Sequence, residues 1–242
     1  MNPKDSKKEK KGSGLRSLLL PIILFIIGSI GLIPIIIYLY LFYNLFNPSL
    51  IFHWMVLPVV VYIGTILLIA SQFLISGFFI SVFNIRYKEG SFPYNLRNKN
   101  AFRWILICSL YTPGRKILEI VPMKFIKYTY LKLVGMKIGK NSLVGGVIKD
   151  PCVTSFGDNT TMGEYAIIYA HIHNVEKDTI TIKKVTIGDN CVIGAGAIIM
   201  PGVTVEDNVI VAAGALVTQD QVLKKGTIYA GVPAKAIKIK EK

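Results

Sequence analysis

The sequence predicts an α-helical transmembrane hairpin followed by an all-β parallel β-helix, on three observations. No Lys, Arg, Asp or Glu occurs between Arg16 and Arg86. From Ile187 to Val217 an aliphatic residue recurs at every sixth position. The same period runs earlier, from Ile138 to Ile168, in a register displaced by one residue.

The chain has 242 residues, enough for one soluble domain and a membrane segment. Hydrophobic residues make up 52% and mean hydropathy is +0.51, too apolar for an ordinary soluble domain. Residues 1–16 read as a basic tail, carrying Lys4, Lys7, Lys8, Lys10, Lys11 and Arg16. Residues 17–84 read as two spans, Ser17 to Phe46 and Met55 to Phe83, each exceeding the ~20 apolar residues a helix needs to cross a bilayer. A buried core helix of that length would carry a charged face, and these do not. A cleaved signal is excluded because the first block is too long and a second follows. Asn47-Pro48-Ser49 marks the turn between them, flanked by Tyr38, Tyr40, Tyr43, His53 and Trp54 at interfacial positions. Pro21, Pro34 and Pro58 kink or punctuate helices in a way membranes tolerate.

Orientation follows from the flanks. Arg86, Lys88, Arg97, Lys99 and Arg103 follow the second span, and the loop between the spans has no Lys or Arg. The positive-inside rule then puts both termini and the C-terminal domain in the cytoplasm. The net charge of +14 beside an apolar block points to anionic lipid or an anionic cofactor, and no nucleic-acid motif is present. Residues 85–136 read as a helical juxtamembrane connector. Aromatic residues such as Trp104 and Tyr128 mix there with Arg103, Arg115, Lys124 and Lys127, suiting helices on the inner leaflet or helices capping the β domain. Pro113-Gly114 and Pro122 are expected to break it into short pieces. Cys108, Cys152 and Cys191 fit no metal-ligand spacing and read as reduced, mostly buried thiols.

Residues 137–242 hold the repeats. Ile187, Ile193, Ile199, Val205, Val211 and Val217 lead successive hexads, each followed by small or turn-forming residues such as Gly188, Gly194 and Asp207-Asn208. A period of six is neither helical nor that of a lone strand. It fits short flat segments that each point an aliphatic side chain inward before a tight turn, and that bury a continuous column only when stacked. In the earlier register Ile138, Val144, Phe156, Met162 and Ile168 keep the period and only Asp150 interrupts it. The one-residue phase difference requires an insertion between the registers, around residues 172–184.

The stretch from Val185 to Lys238, with Tyr229-Ala230-Gly231-Val232-Pro233-Ala234-Lys235 near its end, resembles the hexapeptide-repeat acyltransferase family. It is most similar to the galactoside, maltose and xenobiotic acetyltransferase branch, and covers roughly residues 137–240. The resemblance implies a left-handed parallel β-helix of about four triangular coils, a homotrimer with sites between subunits, and acetyl-CoA as acyl donor. The membrane half departs from that branch. A looser likeness is to membrane-embedded terminal regions of some peptide-synthetase-like proteins.

Acyl transfer from a thioester needs a base for the attacking hydroxyl or amine and a donor for the oxyanion. Histidines occur at 53, 171 and 173, and His53 falls at the outer membrane face. By the resemblance His171 is the general base and His173 a substrate-binding neighbour or the alternative base. Glu164 and Tyr169, just before it, are candidates to hold the acceptor. Asp158 and Asn159 read better as turn residues. No carboxylate partner for His171 is evident from spacing. A backbone N–H near Gly194 or Ala195 is expected to hold the oxyanion. The coenzyme groove is expected at Gly194, Ala195, Ala213 and Thr218, with Lys235 and Lys238 on the coenzyme phosphates. Gln219 stands where the family often has a basic residue.

The reading is therefore a membrane-anchored acyltransferase moving an acetyl or other acyl group to a hydroxyl or amine. Its acceptor would be a small molecule or a lipid-linked or envelope sugar, and no metal is expected. Two other readings remain: a non-catalytic trimeric membrane scaffold, and a metal enzyme of the γ-carbonic anhydrase kind. The latter needs three histidine ligands where the β domain has two.

Overall fold

The structure is a computed structural model that describes residues 3–120 and 124–239, with side chains over 16–119 and 124–237. The chain divides into two compact units, residues 1–85 with 102–134, and residues 86–101 with 135–242.

The first unit is helical. Helix α1 spans Pro3–Leu45 and α2 spans Ile51–Val82, and within them Arg16–Leu45 and Ile51–Val82 are long and apolar enough to cross a membrane. Most of their apolar surface faces outward; Phe25 is 75% and Ile51 79% exposed. The two helices meet through small residues and polar clasps. Ser71 Oγ donates to the Gly31 carbonyl at 2.8 Å, Gln72 Nε2 to the Gly28 carbonyl at 3.1 Å, and Tyr38 Oη to the Val60 carbonyl at 2.9 Å. Gly31 leaves room for the Gln72 amide, and a Cβ there would lie within 2.6 Å of it. Such side-chain bonds to backbone fix the register of one helix on the other. The connecting turn is ordered by Asn47 N–H donating to His53 Nδ1 at 2.7 Å and Trp54 Nε1 donating to the Pro48 carbonyl at 3.0 Å.

Helix α3 (Lys99–Ile120) runs unbroken through Pro113-Gly114, contrary to the expected break. Gly114 packs directly against the Phe73 ring, so tertiary packing on α2 offsets the cost of the proline. Pro122 lies outside the described residues. Helix α4 (Lys124–Leu133) buries Tyr130 between Phe73 and Tyr111, with ring centroids 5.3 and 5.9 Å away.

The second unit is a three-faced prism of parallel strands. The first face stacks 137–138, 154–156, 185–187, 204–205 and 222–223. The second stacks 143–144, 161–162, 192–193, 210–211 and 227–230, and is closed by the antiparallel strand Lys235–Ile239. The third stacks 147–148, 167–168, 198–199 and 216–217. Registered partners form aliphatic ladders through the interior: Phe156, Ile187, Val205 and Leu223 on the first face, and Met162, Ile193 and Val211 on the second. These side chains are almost wholly buried, and each contributes roughly 1.5–3 kcal/mol by leaving water. The corner after the first face repeats one device. Asn159, Asn190 and Asn208 take the left-handed conformation at φ 52°, 55° and 60°, which Asn tolerates. Asp158, Asp189 and Asp207 each accept, through Oδ1, a backbone N–H of the preceding coil.

One rung differs from the sequence reading. The third-face residue of the first coil is Ile148, registered on Ile168, and not position 150. Val144 to Ile148 is two residues short of a hexad and Ile148 to Phe156 two residues long. The surplus forms a widened corner with a 3₁₀ turn at Pro151–Val153, and this holds Asp150 inside. The expected insertion is an antiparallel hairpin, His171–Asn174 with Thr179–Ile182. Its outer edge pairs with Gly90–Pro93, a strand where a helical connector was expected. The hairpin's polar backbone needs that third strand, because a two-stranded hairpin alone is marginal.

Candidate active site at the widened corner

The hairpin leaves the prism at the corner between the third and first faces. Its neck is closed by Lys183 N–H donating to the Ala170 carbonyl at 2.8 Å. His171 is the first hairpin residue, directly below the widened corner. Its Nδ1 lies 2.6 Å from Asp150 Oδ2. The same oxygen accepts the Ala170 N–H at 3.0 Å, and Asp150 Oδ1 faces the Tyr87 hydroxyl at 3.4 Å. Asp150 is 0% and Tyr87 3% exposed, whereas the His171 side chain is 17% exposed. A buried carboxylate that accepts from Nδ1 keeps the imidazole proton there and leaves the lone pair on Nε2. The pair is the arrangement a general base requires.

Further rings gather around it. His173 lies edge-to-face with His171 at 5.4 Å and with Tyr94 at 4.7 Å. Partial burial and the neighbouring His171 push the His173 imidazole below its ordinary value, with Asp150 opposing. Tyr169 meets His171 edge-on at 6.3 Å, and the Lys149 ammonium stands over the Tyr169 ring at 5.7 Å. His171, His173 and Tyr169 therefore sit together. Glu164 does not join them: it is exposed at the corner on the other side of strand 167–168.

That other corner collects most of the residues expected around the coenzyme. Glu164, Ala195 and Ala213 occupy successive floors, tied by Gly196 N–H to the Glu164 carbonyl at 3.0 Å and Gly214 N–H to the Ala195 carbonyl at 2.9 Å. Gly163 and Gly194 must lack side chains, because a Cβ on either would strike the backbone of the next floor. Gly194 N–H is committed to the Val211 carbonyl at 2.8 Å, which removes it as an oxyanion donor. Ala195 N–H donates to no acceptor among the described residues, so of the two it is the one that can serve. Tyr165, 81% exposed, takes φ 59° where the next floors have Gly196 and Gly214. Thr218 is at the His171 corner, two floors on, where its N–H and Oγ1 engage Gln221 Oε1 at 3.1 and 3.2 Å. Lys235 is exposed on the closing strand, paired with Ala230. The Lys238 side chain lies outside the described residues.

Sequence reasoning missed Asp150, Tyr87 and Tyr94. Asp150 did leave a signal, as the one break in the first register. Asp158 and Asn159 are turn residues, as read. Cys108, Cys152 and Cys191 are free thiols. Burial pushes the Cys152 thiol up to about 12, against the opposing effect of hydrogen bonding with Tyr87 and of the nearby Arg86 charge. No three His, Cys, Asp or Glu side chains converge as metal ligands among the described residues.

Comparison with known proteins bears on this geometry. Residues 184–219 match the family model for the hexapeptide repeat of succinyl-transferase. A Dictyostelium discoideum protein provisionally named an acetyltransferase is 39% identical over 130 residues, which is 52% of this chain and 66% of that protein. The chain thus spans just under two thirds of that relative. The structure of a maltose O-acetyltransferase from Clostridium difficile 630 superposes with TM-score 0.51 at 21% identity, covering 64% of this chain and 94% of that one. A galactoside acetyltransferase solved in complex with coenzyme A gives TM-score 0.42 at 22% identity, over 55% of this chain and 82% of that one. The likeness to the maltose O-acetyltransferase structure identifies the prism as a left-handed parallel β-helix.

Proposed function

We infer that this hexapeptide-repeat protein is an acyl-CoA-dependent acyltransferase of the hexapeptide-repeat acetyltransferase family, with His171 as general base oriented by Asp150. The observation that carries the reading is the 2.6 Å contact between His171 Nδ1 and a wholly buried carboxylate, at the mouth of an otherwise regular prism. The widened corner holds that carboxylate behind the imidazole, which supports the reading.

In the reaction Nε2 of His171 takes the proton of the acceptor's hydroxyl or amine. The acceptor attacks the thioester carbonyl, and Ala195 N–H stabilises the oxyanion. The tetrahedral intermediate collapses, and the departing coenzyme thiolate takes the proton from the imidazolium. Asp150 holds the imidazolium through Nδ1 and stabilises it. No covalent enzyme intermediate is needed. The His171 and Ala195 corners flank the third face on opposite sides, so one site takes its base from one protomer and its oxyanion donor from the next. This is why the functional unit is a homotrimer. The outward corner at Glu164, Ala195 and Ala213 receives the pantetheine arm, with Thr218, Lys235 and Lys238 toward the nucleotide end. His173, Tyr169 and Glu164 face the acceptor.

Helices α1 and α2 anchor the enzyme in a bilayer, with both termini and the β-helix cytoplasmic, where acyl-CoA is available. Their outward apolar surface supports this, being far larger than a soluble protein leaves exposed. The anchor favours a lipid-linked sugar or other membrane acceptor. Incubating the detergent-purified full chain with acetyl-CoA and a lipid extract tests the reading. Thiol release with a new acylated lipid by mass spectrometry is expected; release with no acylated lipid removes the membrane acceptor, and no thiol release from any acyl-CoA removes the activity.

A further inference from the structure

The segment that follows α2 is built along the whole length of the His171 hairpin. Tyr87 is buried against Asp150. Glu89 accepts the Lys184 N–H at 3.3 Å at the hairpin's exit. Gly90–Pro93 adds a third strand to the hairpin, and Tyr94 donates its N–H to the Asp178 carbonyl at 2.9 Å and sets its ring on His173. The chain leaving the second apolar helix thus contacts two of the groups around His171, Asp150 and His173.

Within that strap one contact reaches the chemistry. Asp150 Oδ2 is shared by His171 Nδ1 and Ala170 N–H, and Oδ1 has the Tyr87 hydroxyl. We propose that Tyr87 is a positioning residue for the His171 base, acting through Asp150, so that the juxtamembrane strap sets the proton affinity of the catalytic imidazole. The proposal rests on the reading of His171 as base.

The physical basis is charge distribution. A phenol donating to Oδ1 draws carboxylate charge toward that oxygen and away from Oδ2, which faces His171. Remove the donor and the carboxylate holds the imidazolium more tightly, so the His171 pKa rises and its Nε2 is a base over a narrower range. The other groups facing the pair are His173 and Tyr169, the latter with Lys149 over its ring. Cys152 bonds to Tyr87 from behind, with Arg86 nearby, and its raised pKa keeps it a neutral thiol. The long 3.4 Å separation makes the effect modest.

The test uses the detergent-solubilised full chain labelled with ¹⁵N-histidine, whose signals arise from His53, His171 and His173 and are assigned with His171→Ala and His173→Gln variants. It needs no acceptor. In Tyr87→Phe the His171 titration is expected to move up. 3-Fluorotyrosine placed at position 87 alone, a stronger donor of nearly the same shape, is expected to move it down. A His171 curve that coincides in all three proteins overturns the proposal, as does a downward shift in the Phe variant. If Tyr87→Phe does not fold, the fluorotyrosine arm decides alone. The reading of His171 as base fails separately, if His171→Ala still turns over acyl-CoA; the titration is unaffected by that outcome.

Discussion

Replacing Asp150 by Asn isolates what its charge contributes. Asp150 Oδ2 accepts from both the Ala170 backbone N–H and His171 Nδ1. An Asn that turned its amide nitrogen toward them would set donor against the fixed Ala170 N–H, which is costly in a site with 0% exposure. The Asn carbonyl therefore takes the Oδ2 position and the imidazole keeps its proton on Nδ1. The amide nitrogen then meets the Tyr87 hydroxyl, which can turn to accept. Geometry and tautomer survive and only the negative charge is lost. A hydrogen bond to a charged group contributes about 1.5–3 kcal/mol, roughly twice a neutral one, and that difference is called on as the imidazolium forms. That difference of about 0.75–1.5 kcal/mol gives an expected fall in kcat of roughly 4- to 13-fold, with the KM for acyl-CoA little changed. Asp150→Ala acts differently: it leaves three buried groups without their acceptor and destabilises the fold by about 3 kcal/mol or more. Thiol release under saturating acyl-CoA, with thermal unfolding alongside, measures both. Wild-type kcat in a folded Asp150→Asn enzyme would refute the orienting role.

Other expectations follow from the same structure. Cys152, with its pKa near 12, has about one part in ten thousand as thiolate at pH 8, so iodoacetamide should spare it in the folded protein and modify it after denaturation, as read by mass spectrometry. Ile193→Ala, at the centre of the aliphatic ladder, should cost about 2–5 kcal/mol in chemical or thermal unfolding. Gly163→Ala brings a Cβ within 2.7 Å of Ala195 N and should both lower the melting temperature and weaken coenzyme binding, read by calorimetry. For topology, a cysteine at Ser49 should react with an impermeant maleimide in intact cells, and one at Gln219 should not; the reverse pattern would invert the assigned orientation.

The prism was legible because its physics is periodic. A rung needs one inward aliphatic residue and a corner needs Gly, Asn or Asp, so Ile187 to Val217 could be read directly from spacing. The two apolar helices were legible for a similar reason, since 69 consecutive residues without a charge leave few alternatives. What escaped was aperiodic. Asp150 was visible as a fault in the ladder, but its meaning depends on two compensating changes of corner length, four residues from Val144 to Ile148 and eight to Phe156. Tyr94 reaches His173 beside strand pairing across some 80 residues and Tyr87 meets Asp150 63 residues on, and no local pattern encodes either. Pro113 misled because propensity is local, whereas the packing of Gly114 on Phe73 is not.

The most direct test of the account is acyl-CoA turnover by His171→Ala in the full chain, with the oligomer verified by light scattering. A trimer of wild-type stability whose turnover has fallen by 10²-fold or more is the expected result. An intact trimer that releases thiol from acyl-CoA at the wild-type rate would contradict it.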